Sequence, residues 1–440
     1  MQHNQRTSVL PILILGIFFF IFGFVTWLNG TLIPYLKIAC ELNNMQAMLV
    51  TFAFYISYFV MALPSSAVLR KTGFKKGMML GLLIMALGAL LFVPAAMTRT
   101  YGIFLLGLFI IGTGLSVLQT ASNPYVTILG PMESAAKRIS IMGICNKVAG
   151  FLAPLILGAI ILSDADILVE QLLSLSPQEK AVRLDELASR VILPYIVMAV
   201  VLTGLALLVR WSPLPEIDQA EEQIPDVETD GGSVIGFPQL VLGAIALFLY
   251  VGVEVIAVDT IGTYAQSQQI PLSEAKNLPS LPLAAMVLGY IIGIFTIPHL
   301  LTQAKALLIS AILGILFTTL VLLPVGTTCR ASAILGILFT TLVSLSSGYT
   351  SVIFLSLLGL ANALVWPAIW PLALEGLGKY TKTASAMLIM AIAGGALLPL
   401  LYGKLADMTA VGPRQAYWIM VPCYLFILFY ALRGYKLRRW

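Results

Sequence analysis

The sequence predicts an all-α polytopic membrane protein, twelve transmembrane helices in two six-helix pseudo-symmetric bundles. Three observations carry this. The 440 residues are 59% hydrophobic and only 10% charged, with 25 basic and 20 acidic side chains, and the mean hydropathy is +0.97. Soluble domains carry about 25% charged residues. Apolar runs of the ~20 residues that a bilayer crossing requires recur along the whole chain. A single acidic stretch interrupts them near the middle. A soluble enzyme, a single-pass receptor and a small pore-forming subunit are all excluded by this arithmetic.

Met1 to Thr7 is a short polar tail, and the apolar run from Val9 has no small-residue cleavage site behind it. It therefore reads as a first span rather than a removed signal. Hydropathy places the first six spans at 9–36, 46–69, 77–97, 102–130, 139–162 and 191–212, and the second six at 238–265, 280–300, 305–323, 351–374, 383–404 and 416–434. Ser163 to Arg190 is a polar insert whose second part, Pro177 to Ser189, reads as a short surface helix. Pro213 to Phe237 holds Glu216, Asp218, Glu221, Glu222, Asp226, Glu228 and Asp230 with no Lys or Arg. Such a stretch cannot bury itself and reads as a solvated linker. It divides the chain into an N-terminal half (1–212), an acidic cytoplasmic linker (213–237) and a C-terminal half (238–440).

Orientation follows from where Lys and Arg fall, because basic residues collect on the cytoplasmic side. With the N-terminus inside, 15 of them, including Arg70, Lys71, Lys75, Lys76, Lys137, Arg138 and Arg433, lie inside and 9 outside, with Lys147 left within a span. Both termini are then cytoplasmic, which requires an even number of spans. That parity bears on a repeat: residues 310–321 recur identically at 332–343. If both copies crossed, the basic C-terminal tail would sit outside, so one copy is expected to be the ninth span and the other a non-spanning insertion. A weaker echo, Pro124 with Leu129-Gly130 and Lys137 against Pro367 with Leu377-Gly378 and Lys382, suggests parallel six-helix repeats, a transporter signature.

An ionisable group within a span costs ~2.5–3.5 kcal/mol by insertion scales and is a functional hypothesis by default. Lys147, Glu254 and Asp259 qualify. Glu254 and Asp259 are five residues apart, about 140° around a helix, so they cannot share one face. Asp259, nearer the end of its span, is expected to be wet. Lys147 either forms a structural ion pair with one acid, or Glu254 changes protonation or binds a cation as a central cavity alternates. Amides cluster too. Gln119 and Asn123 stack on one helix face, Asn29 with Gly30 interrupts the first span, Asn146 adjoins Lys147, and Asn362 precedes Trp366 and Trp370. Amides donate and accept and indole faces suit the apolar side of a sugar ring. The set fits a cavity for a neutral, hydroxyl-rich ligand, although each amide alone reads equally as an interhelical hydrogen bond. Gly112, Gly114, Gly394, Gly395 and Gly403, with Pro399, mark close packing or bending. Cys40, Cys145, Cys329 and Cys423 are scattered and read as small hydrophobes. The net charge of +5 gives no indication of nucleic acid, and no G-x-S-x-G or H-E-x-x-H motif supports an enzyme.

The run Gln119-Thr-Ala-Ser-Asn-Pro-Tyr-Val-Thr-Ile-Leu-Gly-Pro131 resembles the span-four motif of the fucose permease branch of the major facilitator superfamily, which includes bacterial glucose/galactose transporters. The loop Ser66 to Gly77 resembles a degraded loop-two signature of that superfamily, with Arg70 in place of its acid and Lys71, Gly73, Lys75 and Lys76 in keeping. Pro34 after Leu28-Asn29, Tyr250-Val-Gly252, Trp366-Pro367, Gly376-Leu-Gly378 with Thr381-Lys382, and Gly394-Gly395 with Pro399 match as well. The resemblance covers the chain apart from the central linker and the duplicated segment, and Asn146-Lys147 with Glu254 look like the glucose/galactose type. It implies the major facilitator fold and a transporter of the inner membrane that imports a neutral hexose by alternating access. Symport with sodium or protons would run through Glu254, then Asp259, with Lys147 as charge partner. The ligand set it suggests is Asn29, Gln119, Asn123, Asn146, Asn362 and Trp366. The acids that the fucose–proton symporter carries in spans one and four are Gly30 and Gln119 here, which puts that coupling route in doubt. An uncoupled uniporter, or a carrier of L-fucose or an amino sugar, is the alternative. No cofactor is expected beyond a coupling ion, and no partner beyond the sugar and the bilayer, with the protein acting as a monomer.

Overall fold

A computed structural model describes residues 9–128, 135–212, 234–297, 300–322, 347–377 and 380–438. Among them, twelve helices are long and apolar enough to cross a membrane. The first six are Ile12–Ala39, Asn44–Ala62, Pro64–Met97, Tyr101–Ser122, Ile141–Ile161 and Pro177–Trp211. The second six are Pro238–Asp259, Leu272–Thr296, Gln303–Leu322, Gly348–Leu374, Thr383–Asp407 and Gly412–Lys436. They pack as two six-helix bundles. The spans expected from hydropathy are all present, because a bilayer crossing needs a length of apolar chain that shows directly in the sequence.

Pro177–Ser189 is a helix of its own before the sixth crossing, Ile192–Trp211. Ser176 accepts from the Glu179 N–H while Glu179 reaches back to the Ser176 N–H, the reciprocal cap that a Ser-x-x-Glu spacing encodes. The first copy of the repeated dodecamer lies in the ninth span, Gln303–Leu322; the second copy, and residues 213–233 of the expected linker, lie outside the described residues. The helix Asn44–Leu90, which carries most of the second and third spans, is kinked at Gly73, whose φ of +75° glycine adopts without a Cβ penalty.

Several spans are discontinuous. The first breaks at Leu28 between Val9–Trp27 and Asn29–Ala39. The tenth breaks between Ser347–Asn362 and Val365–Leu374. The eleventh contains a 3₁₀ turn at Ala391–Ala393, just before Gly394. Close approach explains the glycines. A Cβ on Gly394 would lie 1.8 Å from the Phe248 carbonyl oxygen, and one on Gly114 would lie 2.5 Å from that of Gly81. Without a hydrophobic drive between helices in lipid, such backbone-to-backbone contact is a main source of association.

Between the bundles, the second span packs on the eleventh and the fifth on the eighth. These two contacts are equivalent under exchange of the halves. Hydrogen bonds join the bundles at the end remote from Ser212 and Val234, the far end: Asn44 and Met45 to Asp407, Thr31 to the Lys276 carbonyl, Lys276 to the Leu162 carbonyl, and the Ser273 N–H to Asp166.

Candidate functional site

Where helices break within a bundle, backbone and polar side chains are held inside the protein rather than against lipid. The break at Leu28 faces such a place. Trp27 and Asn29 flank it, both nearly fully buried. The fifth span closes on Trp27 at Gly150, where a Cβ would come within 2.4 Å of the indole. One turn earlier on that span, Lys147 places its ammonium 4.4 Å from the centroid of the Trp27 ring, an arrangement the ring quadrupole favours.

Lys147 Nζ lies 2.6 Å from Oε1 of Glu254 on the seventh span. The two residues are 7% and 6% exposed. The link thus joins the first bundle to the second through a desolvated ion pair. Breaking such a pair leaves one charge uncompensated, while dismantling it entirely is far cheaper. It is a contact whose strength depends on the charge of both partners. Tyrosines surround it: Tyr55, Tyr250, Tyr290 and Tyr424 all lie within electrostatic reach of Glu254. Tyr290 also touches the fifth span, where a Cβ on Gly143 would be 3.3 Å from its ring.

Asp259 departs from expectation. Although near the end of its span, it is fully buried, not wet. Thr51 of the second span donates to Oδ2 at 2.9 Å, while Oδ1 has no partner among the described residues. Depth along the helix pointed to solvent; burial within the protein, where Thr51 of the second span meets the carboxylate, removed it. Glu254 and Asp259 face different neighbours, the fifth span and the second, as their angular separation requires.

The amides divide. Asn29 is buried, and its Nδ2 has no partner among the described residues; the Trp27 indole N–H has none either. A buried donor without an acceptor costs about 1–3 kcal/mol, so each of the two is a position where a ligand group or water would find a donor. Gln119 Nε2 donates to the Tyr58 hydroxyl at 3.2 Å and both residues belong to the first bundle. Asn146 Nδ2 reaches the Phe19 carbonyl at 3.4 Å. Asn362 Oδ1 accepts from the Tyr424 hydroxyl at 2.8 Å, in the second bundle. The helix carrying Asn123 is described but its side chain lies outside the described residues. Trp366, half-buried, stacks on Trp370 with centroids 5.4 Å apart.

Sequence reasoning missed Trp27, Tyr55, Tyr290 and Tyr424, and named Tyr250 only as part of a family match. A tryptophan two residues before an asparagine in an interrupted span is a usable signal; a tyrosine in an apolar span is not, because it reads equally as packing. A cavity of about 140 Å³ at the far end is lined by Lys37, Asn44, Thr263, Gln266, Tyr402 and neighbours, and none of the residues nominated from sequence lines it.

Comparison with known proteins shows the family. The family model of the Major Facilitator Superfamily matches residues 15–399. The glucose/galactose transporter of Brucella abortus biovar 1 is 34% identical over 437 residues, covering 98% of this chain and 96% of the relative. The L-fucose-proton symporter of Escherichia coli strain K12 is 28% identical over 432 residues, 97% of this chain and 94% of the relative. The crystal structure of a Major Facilitator Superfamily transporter, FucP, in the outward conformation superposes with a TM-score of 0.69 at 26% identity, covering 97% of this chain and 99% of that one. With a family match across most of its length and whole-chain relatives of the same architecture, the chain belongs to the Major Facilitator Superfamily.

Proposed function

We propose that the protein is a sugar transporter of the secondary active type, importing a neutral hexose of the glucose/galactose class by alternating access, with both termini cytoplasmic and the far end facing outward. The observation that carries the reading is the surroundings of the first-span break: two buried donors without a partner among the described residues, Trp27 Nε1 and Asn29 Nδ2, on a span that meets a desolvated ion pair bridging the bundles. A hydroxyl-rich, uncharged ligand accepts from such donors without adding a charge next to Lys147. Relatives named glucose/galactose transporter at about a third identity support the sugar class. FucP, captured in the outward conformation, supports a two-state cycle, since here the far end is joined.

In this account the two bundles rock about the midplane and no covalent chemistry occurs. Gln119, Asn123, Asn146 and Asn362 supply further polar contacts and Trp366 packs the ring. A cation, sodium or proton, meets Glu254, competes with Lys147 for its carboxylate, and stabilises the outward-open, sugar-competent state. A ligand shifts such an equilibrium only through different affinities for its two states, and a carboxylate paired at 2.6 Å in one state and released in another supplies that difference. The same ion pair also supports a second reading, uncoupled uniport, in which Lys147 neutralises Glu254 permanently.

Counterflow in proteoliposomes tests carrier function. Preloaded unlabelled glucose or galactose is expected to drive transient uptake of labelled sugar, and Trp27→Phe with Asn29→Ala is expected to abolish it. No counterflow with any hexose, fucose or amino sugar in a panel contradicts the sugar reading.

A further inference from the structure

Asp407 and Lys276 belong to the second bundle, yet each closes a helix end of the first. Asp407 is the last residue of the eleventh span. Its Oδ1 accepts from the Asn44 N–H at 3.0 Å and from Asn44 Nδ2 at 2.7 Å, and its Oδ2 accepts from the Met45 N–H at 2.7 Å. These are the first two amides of the second span. The third, of Gln46, is taken by the Asn43 side chain at 2.7 Å, and that of Ala47 by the Asn43 carbonyl. The amides that a helix N-terminus leaves without intrahelical partners are therefore all satisfied here, two of them from across the bundle interface.

At the other contact the signs reverse. Lys276, near the start of the eighth span, is 9% exposed. Its Nζ donates to the Leu162 carbonyl at 2.6 Å, just past the C-terminus of the fifth span. A helix carries partial positive charge at its N-terminus and partial negative charge at its C-terminus. An acid sits on the first and a base on the second. The helices capped, the second and the fifth, are those packed on the eleventh and the eighth. The two contacts are equivalent under exchange of the halves, while the caps run in opposite senses, an acid at a C-terminus holding an N-terminus in one and a base near an N-terminus holding a C-terminus in the other.

We propose that Asp407 and Lys276 form a charge-complementary double clasp that holds the far end shut, and that opening this end releases both caps. The clasp suits a reversible gate. Asp407 is exposed and the amides it holds lie at the helix mouth, so on opening water replaces each bond and the net contribution stays small. Lys37 lies alongside, its Nζ donating to Asn44 Oδ1 at 2.5 Å, which orients the Asn44 amide toward Asp407. The far-end cavity lies behind the clasp; of its lining groups Thr263 donates to the Thr260 carbonyl, Tyr264 to Ser351 and Tyr402 to the Pro413 carbonyl, while Gln266 Nε2 has no partner among the described residues.

The proposal rests on the alternating-access reading, and its test uses neither sugar nor ion. Spin labels at exposed positions Thr100→Cys and Thr409→Cys, with the four natural cysteines replaced by serine, report the far-end separation in lipid nanodiscs. The wild type is expected to show a short-distance population. Asp407→Ala and Lys276→Met each lower the short-to-long ratio by roughly fivefold, the size of one helix cap, with Asp407→Asn intermediate because an amide oxygen still accepts. Lys404→Gln, an exposed change on the same helix outside the clasp, leaves the ratio unchanged. Distance distributions equal to wild type in both clasp variants, or a wild type with only long distances, overturn the proposal. Failure of sugar counterflow alongside the predicted distance shift would instead sink the sugar reading and leave the clasp standing.

Discussion

Lys147 Nζ of the fifth span and Glu254 Oε1 of the seventh are 2.6 Å apart, both residues under one-tenth exposed. This buried ion pair ties the fifth span of one bundle to the seventh span of the other. Its energetics give a first prediction. Lys147→Met or Glu254→Leu alone strands a buried charge and is expected to destabilise by about 3–5 kcal/mol, while the double replacement recovers most of that loss. Thermal unfolding of the four proteins in one detergent measures it. Additive single effects would show that the pair is not coupled.

The eleventh span depends on Gly394, where a Cβ would lie 1.8 Å from the Phe248 carbonyl oxygen, whereas a Cβ on Gly204 meets nothing within 4 Å. Gly394→Ala is expected to cost at least about 1–3 kcal/mol by forcing the seventh and eleventh spans apart. Gly204→Ala is expected to leave the melting temperature at or slightly above wild type.

Asn362 and Tyr424 form a buried bond of 2.8 Å between the tenth and twelfth spans. Tyr424→Phe leaves the amide oxygen without this donor, and a loss of about 1–3 kcal/mol in stability is expected. Hexose affinity in counterflow separates the two roles of Asn362. An affinity unchanged by Tyr424→Phe marks the amide as an anchor between helices; a change of tenfold or more marks it as part of the sugar site.

In the far-end segment before the sixth span, Arg190 hydrogen-bonds both carboxylate oxygens of Asp164, with Nη2 to Oδ2 at 2.8 Å. That hydrogen bonding holds the Asp164 carboxyl below the usual range for aspartate. A lowered folded-state value contributes stability above the unfolded value, about 3.9, and that contribution is lost as pH falls through the folded value. Asp164→Asn is therefore expected to melt below wild type at pH 7, with the gap constant from pH 5 to 8 and closing below about pH 4. A gap that keeps its pH 7 size as the pH falls well below the unfolded value would mean the loss is not one of charge.

How far the molecule was legible follows from what each residue must satisfy. Spans were legible because lipid enforces ~20 apolar residues whatever the neighbours are, and the helix at Pro177 because Ser176 and Glu179 cap it locally. Lys147 and Glu254 stood out as charges in apolar runs, but 107 positions separate them, and nothing local to either names the other. Asp259 was misplaced for the same reason: whether an acid near a span end is wet depends on which helix covers it, here the second span through Thr51. Asp407 and Lys276 read as ordinary loop charges that fix topology. Only the packing of the eleventh span on the second and of the eighth on the fifth turns them into caps.

The central claim is that Glu254 links cation entry to sugar movement, and gradient-driven uptake by Glu254→Gln in proteoliposomes tests it most directly. Wild-type protein is expected to accumulate hexose above equilibrium under an imposed inward proton or sodium gradient. Glu254→Gln is expected to lose that accumulation while keeping counterflow, since the sugar contacts remain and only the charge that the cation answers is gone. Accumulation by Glu254→Gln at the wild-type level under both gradients would contradict the account.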